Sequence, residues 1–294
     1  LTKIDTVLVG AKDTTVEHYK NIVGTFEGMT GKRLESATAE DILKFLEKGM
    51  EEKGWKRMTV LNYLTTLRNC LRLIGRAQVA EDLRAHVKRF SKMKWEPKVQ
   101  VYIPPEVALR MIEVAPKVAE REHWEKREDA LFIAVAAFTG LRLSEILSIR
   151  VRGIDFKERT IKPEARKFRE ERGETGGEGG KVVMNELTAS LLRKYIRDNG
   201  LKGDDPIFTQ DPTTYEEHIK LIAQEAGVEK WKAVHPHLLR HSHAISWLRA
   251  TRAGKGDIET MRGQMGWKDA GKMIMVYGDF AIEERKKSYD EVFP

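Results

Sequence analysis

From Thr14 to about Met93 apolar residues recur at intervals of three and four, the spacing of helices that bury one stripe and wet the other. The segment "TVLNYLTTLRNCLRLIG" shows it most fully, with Val60, Tyr63, Leu64, Leu67, Cys70, Leu71 and Ile74 on one face. "TTVEHYKNIVGTFEGM" and "TAEDILKFLEKGMEEKG" predict two further helices, and a shorter basic helix ends near Lys94. Thr38 and Thr59 stand where N-caps are expected, and Gly54 and Gly75 where helices stop. The pattern predicts a small all-helical domain over residues 1–96. It breaks at "KWEPKVQVYIPPEV", where three prolines in an extended stretch read as a linker, and a second domain opens at about Pro97 and runs to residue 294.

In the second domain the pattern changes twice. "DALFIAVAAFTG" is apolar on every side, which predicts a buried helix stopping at Gly140, and "LRLSEILSIRV" predicts a short helix with Ser144 and Glu145 on its polar side. "IDFKERTIKPEARKF" and "KVVMNEL" then flank "REERGETGGEGG", the signal of two or three short strands around a mobile glycine-rich turn. That turn lacks the GK[ST] ending and following helix of a phosphate cradle. Helices resume after Leu187, and no long-period repeat suggests a solenoid. The expected fold class is mainly α with a small β-hairpin or sheet, in two domains.

Composition narrows the setting. The chain has 294 residues, 41% hydrophobic and 33% charged, and no run near the roughly 20 apolar residues of a membrane helix. Cys70 is its only cysteine and "LTKIDTVLVGAKDTT" has no secretion pattern, so a cytoplasmic, reducing setting without disulfides is expected. The net charge is +7, but between Lys53 and Lys94 eleven Lys or Arg face only Glu81 and Asp82. Such a stripe is either the footprint of a polyanion or a solvated helical face, and charge alone does not separate the two.

The stretch "VHPHLLRHSHAISWL" gathers four of the eight histidines. His237 and His241 have the spacing of zinc ligands, with His235 or His243 as a third. Against this, no HExxH glutamate or cysteine lies nearby, and Arg240 places a fixed charge between the two supposed ligands. No metal or other cofactor is expected. For His235 and His243 the better reading is a helix with an apolar face of Leu238, Leu239, Ala244, Ile245 and Leu248. His237 and Arg240, three apart, project to the same side.

Three segments, "TGLRLSEILSIRVRGIDF", "HPHLLRHSHAISWL" and "MRGQMGWKDAGKMIMVYG", resemble in order and distance the signature boxes of the tyrosine recombinase, or phage integrase, family. The resemblance covers the second domain, and the basic helical domain is similar in kind to the family's core-binding domain. It implies a C-shaped, two-domain clamp on double-stranded DNA, monomeric in isolation and tetrameric on synapsed sites. Chemically, it implies cleavage and rejoining through a 3′-phosphotyrosine without metal or ATP.

Arg142 and Arg240 match the family's two arginines, Tyr277 its nucleophile and His237 its histidine. Trp267 stands where many relatives have histidine and some tryptophan; indole donates one N–H and cannot act as acid or base. Glu145, three after Arg142, would orient that arginine, and His241 follows the family's "RH" pattern. The hairpin lysine that protonates the leaving 5′-oxygen is assigned to Lys167, with Lys181 as rival. Lys56, Arg57, Lys88 and Arg89 are the expected DNA contacts of the first domain. About a dozen residues precede the first helix, which favours a simple integrase or resolvase of a mobile element, virus or chromosome, associated with the nucleoid, over an arm-binding one. A type IB topoisomerase-like relaxing enzyme and a non-catalytic DNA-binding protein of the same fold are the alternatives.

Overall fold

The computed structural model describes residues 13–91, 101–165 and 180–267, and the chain divides into two units, Leu1–Lys98 and Val99–Pro294. In the first unit, α1 (Asp13–Thr30) leads through a single 3₁₀ turn to α2 (Ala39–Lys53), α3 (Arg57–Leu73), α4 (Ala77–Asp82) and α5 (Arg84–Ser91). Local chemistry fixes several of these ends. Thr38 caps α2 by accepting from the Asp41 N–H at 3.2 Å, while Asp41 accepts in return from the Thr38 N–H at 3.0 Å. Gly54 ends the helix in the left-handed region at φ +63°.

Thr59, expected as the cap of α3, lies inside it; the extended residue before the helix is Lys56. The cause is an aromatic contact across the turn. Trp55 stacks on Tyr63 with ring centroids 4.3 Å apart, and Phe45 meets Trp55 edge-on at 5.1 Å. Seating Trp55 there returns the chain to helix immediately after it. The apolar stripe of α3 is buried as its spacing predicts, and burial pushes the Cys70 thiol up to about 12, leaving it protonated and unreactive.

The basic residues of this unit fall into distinct groups. Arg68 donates to the Ala80 carbonyl at 2.8 Å, and Arg76 donates to the carbonyls of Glu35 and Ala37. These two hold backbone together. Arg72 and Arg84 face Glu81 at 3.4 and 2.9 Å. Lys56, Lys88 and Arg89 are exposed and Arg57 is half-buried.

The second unit is built around α7 (Asp129–Thr139), whose residues from Leu131 to Ala136 are all buried. A helix without a polar side needs neighbours all round. They are α6 (Pro105–Arg121), α9 (Glu186–Asp198), α10 (Pro212–Glu225) and α11 (Pro236–Arg252). Glu128, just before α7, is fully buried and accepts from the Tyr195 hydroxyl at 2.8 Å, the Tyr215 hydroxyl, and the N–H groups of Thr209 and Gln210 at 3.1 and 3.3 Å. Four donors make the burial of that carboxylate tolerable.

A short helix α8 (Leu143–Ile146) follows α7, and three two-residue strands form an antiparallel sheet in the order β1 (Ile154–Asp155), β2 (Thr160–Ile161), β3 (Val182–Val183). Ile154 pairs with Ile161, and Ile161 with Val182. The last described helix is α12 (Ile258–Met265). The glycine-rich turn lies outside the described residues. No described helix is long and apolar enough to cross a membrane.

The aromatic contact yields a test of the first unit. A Cβ on Gly49 would run into the Trp55 ring, so Gly49→Ala should cost about 1–3 kcal/mol of stability despite alanine's better helix propensity. Chemical denaturation measures this; an unchanged or raised midpoint would show that Trp55 is not held against α2.

Candidate active site

The site begins where α7 stops. Gly140 is left-handed at φ +67°, and a Cβ there would lie 2.6 Å from Met265 Sδ and 2.7 Å from His243 Cδ2. Conformation and close approach together require glycine. The turn sends Leu141 into the core and presents Arg142 in an extended conformation as the residue before α8.

Arg142 donates its backbone N–H to Glu145 Oε2 at 2.8 Å and its Nη1 to Glu145 Oε1 at 3.0 Å. Glu145 is buried, which corrects its expected place on the polar side of the helix. Its position three residues on lets the carboxylate fold back over its own helix start, where both oxygens meet donors. A second guanidinium completes the arrangement: Arg240 Nη1 lies 3.8 Å from Glu145 Oε2. Arg240 is 2% exposed and also donates to the Gly140 carbonyl and, at 2.7 Å, to the Met265 carbonyl. Those carbonyls sit at the C-terminal ends of α7 and α12, where the helix dipole is negative. Arg142, by contrast, keeps 48% of its side chain exposed.

Arg240 is delivered by α11, which starts at Pro236 with His235 as its cap, the ring Nδ1 accepting from the Leu238 N–H at 3.3 Å. His237 keeps a solvent-exposed edge one turn before Arg240. Partial desolvation of its ring, followed by the charges of Arg240, His235 and Arg142, lowers its pKa below the usual imidazole range. His241 meets His237 edge-on at 4.3 Å. His243 instead faces the core, with Nδ1 2.9 Å from the Ala137 carbonyl. Among the described residues no group of three or more His, Cys, Asp or Glu is placed to hold a metal ion.

Trp267 is buried, packed with Ala244, Ile245, Leu248, Met261 and Met265 between α11 and α12. Lys181 is exposed just before β3. Lys167 and Tyr277 lie outside the described residues. The structure therefore brings Arg142, Glu145, His237, Arg240 and His241 together, while Trp267 packs in the separate apolar cluster of α11 and α12. Sequence reasoning passed over the Gly140 and Met265 carbonyls, which carry no side-chain signal, and Gln264, a polar residue on the buried side of α12.

Two guanidiniums facing one carboxylate, one of them open to solvent, beside an imidazole have the chemistry to receive a phosphoryl group. The chain belongs to the phage integrase family, whose model matches residues 102–283, and it is a site-specific tyrosine recombinase. It is 25% identical over 298 residues to the tyrosine recombinase XerA of Saccharolobus solfataricus, covering 96% of this chain and 88% of that one. To the XerA of Pyrococcus furiosus it is 26% identical over 246 residues, covering 78% and 74%. The fold resembles a crystal structure of XerA recombinase, with a TM-score of 0.51 at 21% identity over 100% of this chain and 97% of that one. It also resembles the Tn1549 transposon integrase in complex with transposon right end DNA, with a TM-score of 0.66 at 16% identity over 99% and 98%.

Burial, and after it the charges of His237, His235 and Arg240, lower the pKa of His241 from 6.5 to about 4. The unfolded chain thus binds a proton in this interval that the folded chain refuses. The associated stability is present above about pH 6.5 and is lost as the pH falls toward 4. His243, lowered to about 4 chiefly by burial, shares the window. Thermal melts should show Tm falling across it, and His241→Asn should fall less steeply; an identical slope in the variant would remove His241 from the effect.

Proposed function

We propose that this chain cleaves and rejoins duplex DNA by moving a 3′-phosphate onto Tyr277. The observation that carries the reading is the Glu145 carboxylate that fixes Arg142 and Arg240 beside His237. The Tyr277 hydroxyl oxygen bonds to phosphorus, the bond to the 5′-oxygen breaks, and the departing oxygen takes a proton from Lys167 or its rival Lys181. Arg142 and Arg240 stabilise the charge spread over the non-bridging oxygens, and His237 hydrogen-bonds one of them or relays the tyrosyl proton. Glu145 orients Arg142, His241 backs His237, and Trp267 packs between α11 and α12. Because the 3′-phosphotyrosyl bond keeps the energy of the bond it replaces, attack by a 5′-hydroxyl reverses the step without ATP.

Residues 97–294 form the catalytic domain in this reading, and residues 1–96 grip DNA through Lys56, Arg57, Lys88 and Arg89. DNA as partner is supported by the likeness to a transposon integrase in complex with DNA and to XerH bound to difH substrate. In this reading the working protein is a tetramer on two synapsed sites, associated with the nucleoid, an expectation carried by the family resemblance alone.

Tyr277→Phe removes one hydroxyl, so DNA affinity should hold while the covalent protein–DNA band disappears; Tyr289→Phe, at the rival tyrosine twelve residues on, should keep the band. Arg142→Lys and Arg240→Lys should each slow cleavage on the order of 10²-fold or more, because an ammonium cannot reproduce the forked contact. A band persisting in Tyr277→Phe would overturn the assignment. Binding should weaken steeply with salt, and charge reversal at Lys56, Arg57, Lys88 and Arg89 should flatten that slope. A slope unchanged by those reversals would mean that these residues face solvent in the complex.

A further inference from the structure

Gln264 is 8% exposed, and its amide is hydrogen-bonded on both sides. Oε1 accepts from the Val183 N–H at 3.0 Å, while Nε2 donates to the Val183 carbonyl at 2.8 Å and to the Thr139 carbonyl at 3.1 Å. Val183 belongs to β3, which pairs with β2 on one side and is the edge of the sheet among the described residues. The side chain thus occupies the place of a further strand, pairing with both main-chain groups of one residue. Thr139 and Gln264 adjoin Gly140 and Met265, whose carbonyls Arg240 holds. One guanidinium and one amide therefore close the same junction of α7 and α12, and the amide also reaches the strand.

That strand leads directly to the rival lysine, since Lys181 is two residues from Val183, and it pairs with β2, whose continuation leads to Lys167. We propose that Gln264 is a positioning residue for leaving-group protonation: it fixes β3, which Lys181 precedes and which pairs with β2, against the junction of α7 and α12 that Arg240 also holds. An apolar residue in its place would leave the Val183 and Thr139 groups without these partners and release the hairpin from the junction. The inference rests on the reading, given under Proposed function, that a hairpin lysine is the general acid.

The test uses the full chain on two nicked DNA substrates, one natural and one with sulfur in place of the bridging 5′-oxygen, whose thiolate leaves without a proton. Gln264→Met should form the covalent adduct on the order of 10²-fold more slowly on the oxygen substrate and near the wild-type rate on the sulfur substrate, with DNA affinity unchanged. Gln264→Glu keeps the acceptor for the Val183 N–H and loses both donations, and it supplies the same comparison if Gln264→Met does not fold. Equal slowing on both substrates, or none on either, overturns the positioning role. Lys167→Ala and Lys181→Ala are measured alongside. If sulfur rescues one of them, the lysine reading stands whatever Gln264 does; if it rescues neither, that reading falls and the role of Gln264 falls with it.

Discussion

A single buried carboxylate makes the site possible. Arg142 and Arg240 carry permanent charges that repel each other, and Arg240 is almost wholly removed from water. Isolating a guanidinium in this way is costly unless its donors are met and its charge opposed. Glu145 opposes both arginines, and the carbonyls of Gly140 and Met265 meet the remaining demand at two helix ends. The arginines can therefore stand close to one carboxylate, and in the proposed function that arrangement precedes the phosphate. Preorganisation of this kind lets fixed charges act in the transition state without a fresh cost of reorganisation.

The rest of the second unit can be understood as support for that arrangement. The all-apolar α7 fixes the height of Gly140, and its neighbours on every side prevent it from sliding. Glu128, with donors from α9, α10 and the segment between them, anchors the other end of the same helix. Both ends of α7 are thus held by buried ionic groups, one serving only the fold and the other also presenting Arg142.

What the sequence revealed followed the range of the interaction. The Thr38 cap, the Gly54 stop, the stripe of α3 and the turn at Gly140 depend on neighbours within a few residues, and the pattern exposed them. Thr59 misled because the start of α3 is set by Trp55 stacking on Tyr63, a side-chain contact that outweighs a cap signal. Glu145 was placed on the polar side of its helix, as the partner of Arg142, and its burial was not legible because its second cation, Arg240, lies almost a hundred residues away in sequence. The basic stripe could not be sorted by charge: Arg68 and Arg76 grip carbonyls while Lys56, Lys88 and Arg89 face water. Arg142, His237 and Arg240 were legible through motif order, which records geometry that spacing alone does not.

The contacts of Arg240 also set an order on the making of the protein. Its guanidinium spans the end of α7 and the end of α12, so its pocket lacks a wall until residue 265 has left the ribosome. Domains generally fold as units during synthesis, and here the charged centre closes among the last parts of its unit. A nascent chain halted before α12 would hold Arg142 and Glu145 in place but would have nothing to seat Arg240. The buried charge of Arg240 thus depends on a wall that the chain supplies only after most of the unit has been made.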